Sequence, residues 1–483
     1  MYLGLDVGTS GVKAVLSDEA GAVVAQHTAP LGAQRPRPGW SEQDPADWWR
    51  ATQGAVLALD ADARRAVRAV GLAGQMHGAT LLDAQDRVLR PAILWNDGRS
   101  EAQCAELVRR EPRTHAITGN AVFPGFTAPK LLWVAEHEPE VFAATARVLL
   151  PKDYVRMLMT GAAATDMSDA SGTSWLDVGA RAWSDDMLAA TGLTRAAMPE
   201  AYEGSEATGT LLPEIAGAWG MEAVPVAAGG GDNAAGAVGA GVVRRGDAFL
   251  SLGTSGVIFA AGDAFAPNPE RGVHAFCHAL PDRWHEMTVM LSAASCVDWA
   301  ARLVGAAEAG ALVALAEEAR EASVPLFLPY LSGERTPHDD PHARGVFFGM
   351  DHDTGPAEIA RAVLEGVALG FRDGLDVLHD PSATRRVAVI GGGSRSALWG
   401  RILASALDRP LSYHEGAEVG PAYGAARLAR LATGAAPDDV LAAPPLLSVT
   451  EPDPALTGPL AEKHDRFARL YAQARDLFQG APR

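Results

Sequence analysis

Short apolar segments and polar turns alternate at the beginning of this chain. Residues 2–6 and 12–16 are apolar and flank the small turn GTSG, and a second turn, DEAG, precedes the segment AVVAQHTA. Short apolar runs separated by turn residues are typical of β-hairpins. The pattern therefore predicts an antiparallel three-stranded meander.

The spacing of apolar residues becomes helical in the segment SEQDPADWWRATQGAVLAL. Asp44 is suited to cap this helix, Pro45 to occupy its first position and Asp47 to lie in its first turn. The next segment, AVRAVGLAG, predicts a strand again, and ATLLDAQDRVL predicts a further hairpin. Because strands and capped helices continue to alternate to about Trp219, we expect an α/β fold.

The same pattern starts again in the second half of the chain. The segment DAFLSLGTSGVIFAAG predicts another strand–turn–strand unit, and the five residues GTSGV occur both at positions 8–12 and at positions 253–257. A chain of 483 residues is also too long for one hydrophobic core. We therefore expect two domains of related build, residues 1–243 and 244–483, each with a GTSG turn in its first hairpin.

Composition and charge narrow the class of protein. The formal net charge is −18 and no basic cluster is present, which argues against nucleic-acid binding. The sequence has neither a basic leader with an apolar segment behind it nor an apolar run of about 18 residues. The three cysteines are widely spaced and odd in number, as in reduced proteins. We expect a cytoplasmic protein without a membrane or nucleic-acid partner.

The two GTSG turns are suited to bind phosphate groups. Glycine and small hydroxyl residues leave backbone N–H groups accessible and let a ligand approach the main chain. Two such turns, at residues 9–11 and 254–256, could hold a polyphosphate from both sides. The alternative is that they are ordinary hairpin turns, but a five-residue repeat at equivalent positions favours the binding interpretation.

Two aspartates follow apolar strands near these turns. Asp6 ends the first strand, and a buried carboxylate there needs either turn N–H groups or a cation, for which Mg²⁺ beside a polyphosphate is suited. Asp232 follows three glycines in GGGDNAAGAVG and opens a helix of alanine and glycine. It could cap this helix, act as a general base across a cleft, or do both.

Three further segments are candidate ligand contacts. The segment VIGGGSRSALWGRIL predicts a strand, a glycine loop and a helix N-terminus, an arrangement that suits a nucleotide. GQMHG and LWNDGRS follow predicted strands and carry polar side chains that could bind sugar hydroxyls. His77 is the stronger candidate, since Asp97 and Arg99 could simply form a local ion pair.

At these residues the sequence resembles the FGGY family of carbohydrate kinases, over nearly its whole length. GFTAPKLLWV and LPYLSGERTP look like the two signature segments of this family. The resemblance is also carried by the segments GLDVGTSGVKA, WSEQDP, AGQMHGATLLD, RPAILWNDGR, LLPKDYVRM, GGGDNAAGAVG, LSLGTSGV and IGGGSRS.

The resemblance implies an actin/hexokinase-type fold, in which two ribonuclease-H-like domains enclose a cleft. It implies phosphoryl transfer from ATP, with Mg²⁺, to a carbohydrate, and GQMHG narrows that carbohydrate to D-xylulose, with D-xylulose 5-phosphate as product. The alternatives are a kinase of the same family for ribulose, gluconate or glycerol and, more distantly, an ATPase switch on the same fold. A homodimer is one open option for the assembly.

The resemblance also implies the roles of individual residues. Asp232 matches the catalytic base of the family, and Asp6 matches a catalytic aspartate linked to the metal. The implied substrate contacts are Met76, His77, Asp232 and Asn233. The implied nucleotide contacts are Thr9, Ser10, Lys13, Thr254, Gly392, Gly393 and Ser396.

Overall fold

The first half of the chain alternates between strands and helices in the computed structural model, which describes residues 1–391, 396–416 and 419–478. Its strands are β1 Tyr2–Val7, β2 Gly11–Ser17, β3 Val23–Pro30, β4 Glu42–Gln43, β5 Ala69–Gly74, β6 Thr80–Leu82, β7 Ala92–Ile93, β8 Arg147–Leu149, β9 Ala164–Asp166, β10 Leu176–Asp177, β11 Ala182–Trp183, β12 Glu200–Tyr202, β13 Ala207–Thr210, β14 Pro225–Ala227 and β15 Gly230–Gly231. Its helices are α1 Pro45–Leu57, α2 Ala61–Arg65, α3 Glu101–Arg110, α4 Thr114–Thr118, α5 Thr127–His137, α6 Pro139–Ala144, α7 Pro151–Thr160, α8 Met167–Ser171, α9 Asp185–Ala190, α10 Pro213–Trp219 and α11 Asp232–Ala240, with a 3₁₀ turn at Arg195–Ala197.

The second half continues in the same way and confirms the predicted α/β class. Its strands are β16 Asp247–Leu252, β17 Gly256–Gly262, β18 His274–Cys277, β19 Trp284–Met290, β20 Leu326–Leu328, β21 Val346–Phe348, β22 Arg386–Ile390, β23 Leu411–His414 and β24 Leu446–Thr450. Its helices are α12 Ala294–Val304, α13 Ala309–Glu317, α14 Pro356–Asp376, α15 Ala397–Leu407, α16 Pro421–Ala432, α17 Pro437–Val440 and α18 Pro454–Phe478, with 3₁₀ turns at Pro269–Arg271 and Glu321–Ser323.

Each half builds one large sheet, and the two sheets share a core of six strands in the same order, to which the second adds the edge strand β18. The first has the order β13-β14-β5-β1-β2-β3, with β15 also paired to β5, and the second has the order β18-β19-β17-β16-β22-β23-β24. In each, an antiparallel meander is followed by two parallel strands and a final antiparallel one. The repeated GTSG turn joins β1 to β2 and β16 to β17, as predicted.

Local sequence signals account for the first elements. The side chain of Asp44 accepts a hydrogen bond from the backbone N–H of Ala46 and caps α1, and Pro45 is the first helical residue. The hairpin predicted after GQMHG forms as a short turn at residues 83–87, where Leu82 and Val88 make an antiparallel bridge and the backbone N–H of Leu89 donates to the carbonyl oxygen of Leu81 at 2.9 Å. On its other side β6 pairs with β8.

Two helices are exchanged between the halves. Helix α16 belongs to the second half but lies on the first sheet, where a Cβ atom on Gly71 of β5 would be 2.0 Å from the carbonyl oxygen of Ala425. Helix α11 belongs to the first half, and its Ala237 packs with Phe249 and Phe259 of the second sheet. The helices α11 and α16 also pack closely against each other and so connect the two sheets, and the division at residues 243 and 244 stays a prediction about the chain.

Two large hydrophobic cores lie around the two sheets. In the described part of the chain, no single helix is long and apolar enough to cross a membrane. The bent pair formed by Ala294–Val304 and Ala309–Glu317 meets that requirement by length and composition only.

Candidate active site

Three neighbouring parallel strands bring the candidate residues to one edge of the first sheet. Asp6 on β1 is paired with Ala73 on β5, and Ala73 is paired with Gly230 on β15. Because parallel strands end at the same edge, the loops after β5 and β15 lie beside the end of β1. This edge therefore collects Asp6, the GQMHG loop and Asp232.

Asp232 is the first residue of α11, and Gly231 rather than Asp232 is the helix cap. The Oδ1 atom of Asp232 accepts hydrogen bonds from the backbone N–H of Asn233 at 2.7 Å and from its side-chain amide at 2.9 Å. Burial raises the pKa of Asp232 to about 6, although these two hydrogen bonds act in the opposite direction. Asn233 therefore orients the carboxylate that we predict to be the base.

Asp6 has the environment of a carboxylate that would bind a cation. Among the described residues none hydrogen-bonds to its buried Oδ1 atom. Burial, followed by the charge of Asp232, raises the pKa of Asp6 to about 7, while Lys13 lowers it. A buried carboxylate oxygen without a partner fits Mg²⁺, which binds through one or two carboxylates together with waters and phosphate oxygens. A site built from three or more acidic, His or Cys side chains is not found in the described residues.

The GQMHG loop places Met76 and His77 beside Asp232. A Cβ atom on Gly231 would lie 2.9 Å from the sulfur of Met76, so the two loops are in close contact. His77 has a φ of 70° and stacks on Phe126 with ring centroids 4.6 Å apart. Both predicted sugar contacts therefore lie in the same small region as the predicted base.

His77 is a neutral hydrogen-bonding group. Burial, and then the charges of Lys130 and Arg335, lower its pKa to about 3. Its Nδ1 atom lies 2.7 Å from the carbonyl oxygen of Gly172. Nδ1 therefore carries the proton, and Nε2 keeps a lone pair that can accept a hydrogen bond from a sugar hydroxyl.

The first GTSG turn is hydrogen-bonded to the sugar-side loops. The hydroxyl of Thr9 donates to Gln75 at 2.9 Å and accepts from the indole N–H of Trp95 at 3.0 Å. Gln43 donates to the carbonyl oxygen of Thr9 and accepts from Gln75. The sequence did not predict this network, because Gln43, Gln75 and Trp95 are far apart in the chain.

The remaining predicted phosphate contacts lie at the two turns. The side chains of Ser10 and Thr254 are exposed, and Lys13, on the strand after the first turn, donates from Nζ to the carbonyl oxygen of Val419 in the second half. The backbone of Thr254 accepts from Ala293. These three assignments, and that of Thr9, stay predictions.

A cavity of about 180 Å³ lies between α11 and the second sheet, with Asp232 in its lining. A Cβ atom on Gly236 of α11 would meet no atom within 4 Å, so small residues leave room on this helix. Gly392 and Gly393, the predicted adenosine contacts, lie outside the described residues. The hydroxyl of Ser396 accepts from the backbone N–H of Trp399 and caps α15. The cavity is lined in part by Asp232, Asn233, Ser251, Ile390 and His414.

The segment LWNDGRS forms a structural ion pair. Asp97 is buried and accepts from Arg99 at 2.6 Å, and Arg99 also binds Glu42 and lies 3.6 Å from the ring centroid of Trp40. The local ion-pair interpretation is therefore the one that the structure supports for these two residues.

A second feature that the sequence did not predict is a buried lysine behind the site. Lys152, at the start of α7, is fully buried, and its Cβ atom would be 3.0 Å from a Cβ atom on Gly74. Its ammonium group lies among the carboxylates of Asp153, Asp166 and Asp169. The LPKDY segment contains a proline at the first helical position but no local signal that predicts this cluster.

The two related sheets and the helices α11 and α16 between them define an actin/hexokinase-type protein, the class that contains ATP-dependent sugar kinases. Models for the N-terminal and C-terminal domains of the FGGY family of carbohydrate kinases match residues 1–239 and 248–433. The chain belongs to the FGGY family of carbohydrate kinases, and it is an ATP-dependent carbohydrate kinase. The fold and family expected from the sequence are thereby confirmed.

Named relatives are similar over nearly the full length. A xylulose kinase of Escherichia coli K12 is 57% identical over 478 residues, which cover 98% of this chain and 99% of that protein. The crystal structure of a xyloylose kinase from Brucella ovis is similar with a TM-score of 0.95 and 51% identity, and a xylulose kinase from Rhodospirillum rubrum with a TM-score of 0.92 and 32% identity. Each of these two comparisons covers 99% of both chains.

Proposed function

We propose that this kinase transfers the terminal phosphoryl group of ATP to D-xylulose and forms D-xylulose 5-phosphate, with Asp232 as the general base. The proposal depends chiefly on one observation: Asp6, Asp232 and the loop that carries His77 lie at one edge of the first sheet, and Asp232 lines the cavity between α11 and the second sheet. The similarity to named xylulose kinases supports the choice of sugar.

Asp232 takes the proton of the primary hydroxyl as the oxygen attacks phosphorus. A carboxylate with a raised pKa is suited to this role, because the proton leaves late in a loose phosphoryl-transfer reaction. The two hydrogen bonds from Asn233 hold the carboxylate in one orientation. Positioning of this kind is the main catalytic contribution that the protein makes to phosphoryl transfer.

Other residues bind the substrates in this proposal. His77 accepts a hydroxyl hydrogen at Nε2, and Met76 forms an apolar side of the sugar site. The N–H groups of the two GTSG turns and the side chains of Ser10 and Lys13 hold the phosphates. Asp6 would hold Mg²⁺, which when bound neutralises charge on the phosphates. Gln75 connects the sugar loop to Thr9 and so fixes the first turn relative to the sugar.

A coupled ADP-release assay with Mg-ATP tests the proposal. The panel contains D-xylulose, L-xylulose, D-ribulose, L-ribulose, D-gluconate, glycerol and a sample without sugar. We expect the highest kcat/KM with D-xylulose. A higher value with another substrate would overturn the choice of sugar but keep the kinase mechanism, and equal ADP release without sugar would favour an ATPase switch.

The assignment of the base is tested separately with Asp232→Asn. We expect this variant to bind ATP normally and to lose at least about 10²-fold in kcat, the lower range for loss of a general base. Near-normal turnover would overturn the role of Asp232 without changing the choice of sugar.

A further inference from the structure

The buried cluster around Lys152 lies directly behind the loop that carries Asp232. Lys152, Asp153, Asp166 and Asp169 are all fully buried, and the Nζ atom of Lys152 lies 2.7 Å from Oδ2 of Asp166 and 3.5 Å from Oδ2 of Asp169. Burial alone would lower the pKa of Lys152, but the three carboxylates raise it, so the ammonium group stays charged. Burial raises the pKa of Asp169 well above its usual value. The proposed mechanism gives no role to any of these four buried titratable groups.

A chain of hydrogen bonds connects this cluster to the backbone beside Asp232. Asp166 caps the short helix α8, where its Oδ1 atom accepts from the backbone N–H of Ser168 at 2.8 Å and from the Ser168 hydroxyl. The oxygen of that hydroxyl accepts from the backbone N–H of Gly231 at 3.0 Å. Because the hydroxyl hydrogen is donated to a carboxylate, the oxygen is a strengthened acceptor for Gly231.

The loop that donates this hydrogen bond is also paired with β5 through Gly230 and Gly231, and the Ser168 hydroxyl is the side-chain acceptor that holds its last residue. Residues 229–231 are three consecutive glycines, and Gly229 has a φ of 88°, in the region that favours glycine. A rotation within this loop would move the carboxylate of Asp232 relative to the sugar. A displacement of about 1 Å at a reacting group can cost on the order of 10²-fold in rate.

We propose that Ser168 is a positioning residue. Its hydroxyl is held by Asp166, which is itself fixed by the ion pair with Lys152, and it accepts the hydrogen bond from Gly231. This contact keeps the carboxylate of Asp232 beside the attacking hydroxyl. This inference rests on the proposed role of Asp232 as the base. Ser168 does not touch the substrate, and it acts through one hydrogen bond to the backbone.

The chain contains a matched control on the same helix. Ser171 is also buried, and its hydroxyl oxygen also accepts from a backbone N–H at 3.0 Å, that of Cys277 on β18. Ser168→Ala and Ser171→Ala each remove one buried hydroxyl that accepts from one backbone N–H and donates one hydrogen bond, which goes to Asp166 from Ser168 and to the carbonyl oxygen of Met167 from Ser171. A general loss of stability should be similar in the two variants, whereas only Ser168→Ala releases the loop of Asp232.

The test is a kinetic double-mutant cycle in the full-length protein, with melting temperatures measured for every variant. We expect Ser168→Ala to lower kcat about 10- to 100-fold while the KM values for sugar and ATP change by less than about two-fold. We expect Ser171→Ala to leave kcat within about two-fold of the parent. In the Asp232→Asn background, Ser168→Ala should lower kcat by less than about two-fold, because a residue that acts through Asp232 has no further effect when that carboxylate is absent.

Three results would overturn the inference: equal losses of kcat in Ser168→Ala and Ser171→Ala, additive losses in the double variant, or a change confined to KM. Near-normal turnover of Asp232→Asn would instead overturn the proposed base. If Ser168→Ala does not fold, Ser168→Cys keeps nearly the same volume with a weaker acceptor. It should then show a loss of kcat that Ser171→Cys does not show, and equal kcat values in these two variants would overturn the inference.

Discussion

At the scale of single residues, the site holds carboxylates in an environment that disfavours their charge. Burial raises the pKa of Asp232 to about 6 and the pKa of Asp6 to about 7. The ordinary value for both is 3.8. A carboxyl group whose pKa is higher in the folded than in the unfolded state binds protons more strongly when folded. At neutral pH the ionised carboxylates of Asp6 and Asp232 therefore lower the free energy of unfolding. The same ionised form of Asp232 is the one that acts as the base in the proposed mechanism.

Asp232→Asn should therefore be more stable than the parent at pH 7.5. We expect the free energy of unfolding to rise by at most about 3 kcal/mol, since a pKa difference of about two units corresponds to about that energy. The parent loses this stability as the pH rises from about 4 to about 6. The difference between variant and parent should therefore disappear near pH 4. Urea unfolding of variant and parent in metal-free buffer, at pH 7.5 and near pH 4, measures this difference in the free energy of unfolding.

The control for this measurement is Asp438→Asn, because the side chain of Asp438 is 90% exposed. Its free energy of unfolding should stay within about 0.5 kcal/mol of the parent at both pH values. A destabilised Asp232→Asn at pH 7.5 would contradict the raised pKa.

His77 makes a residue-scale prediction about the sugar. His77→Asn keeps a residue type that tolerates the positive φ of this position, but its shorter side chain loses the stack on Phe126 and the acceptor Nε2. We expect the KM for sugar to rise at least about 10-fold, the usual effect of losing one hydrogen bond and its packing, while the KM for ATP changes little. Steady-state kinetics with each substrate varied in turn measure both constants. An unchanged KM for sugar would remove His77 from the sugar site.

At the scale of elements, glycines let the backbones of neighbouring helices and strands approach closely where the two halves meet. A Cβ atom on Gly424 of α16 would lie 1.7 Å from the carbonyl oxygen of Ala235 on α11, and one on Gly4 of β1 would lie 1.8 Å from that of Ala422. These are backbone contacts, so no side-chain rotation can relieve them. Glycine at these positions is therefore required by packing between elements rather than by a turn.

Gly424→Ala should strongly destabilise the protein. Overpacking against backbone usually costs about 1–3 kcal/mol, and we expect a value at or above the top of this range here. The control is Gly217→Ala in α10, where a Cβ atom would meet nothing within 4 Å. It should stabilise the protein by up to about 1 kcal/mol, since alanine favours helix over glycine. Thermal melts of both variants make the comparison, and equal melting temperatures would show that α16 does not pack so closely against α11.

At the scale of the whole molecule, the exchange of α11 and α16 makes the two halves depend on each other. The first sheet is covered by α16, which comes after residue 420 in the chain. We therefore expect the fragment 1–243 to be insoluble or unfolded when it is expressed alone. Co-expression with the fragment 244–483 should restore soluble protein with kinase activity.

Circular dichroism and the soluble yield of the separate fragments measure this dependence. The control is fragment 1–243 joined through a flexible linker to residues 419–434, which returns α16 to the first sheet and should increase the soluble yield. Cooperative thermal unfolding of fragment 1–243 alone would contradict the expectation.

The sequence by itself determined the local elements, the duplication and the chemistry-bearing loops of this protein. Strand and helix periods, the cap at Asp44 and the repeat of GTSGV are properties of neighbouring residues, and they predicted the α/β class and the position of both hairpins. Asp6, His77 and Asp232 could be selected because each lies at the end of an apolar strand beside a glycine-containing turn, a short-range pattern. Met76 was implied only by the resemblance to the FGGY family.

The tertiary structure alone decided which distant residues share a contact. The exchange of α11 and α16, the partners of Thr9 and the connection from Lys152 through Ser168 to Gly231 join residues that are tens to hundreds of positions apart. No local period or turn residue encodes such a pairing, because it depends on how the sheets and helices fill space together. Only the folded chain brings a buried lysine behind the loop of the proposed base.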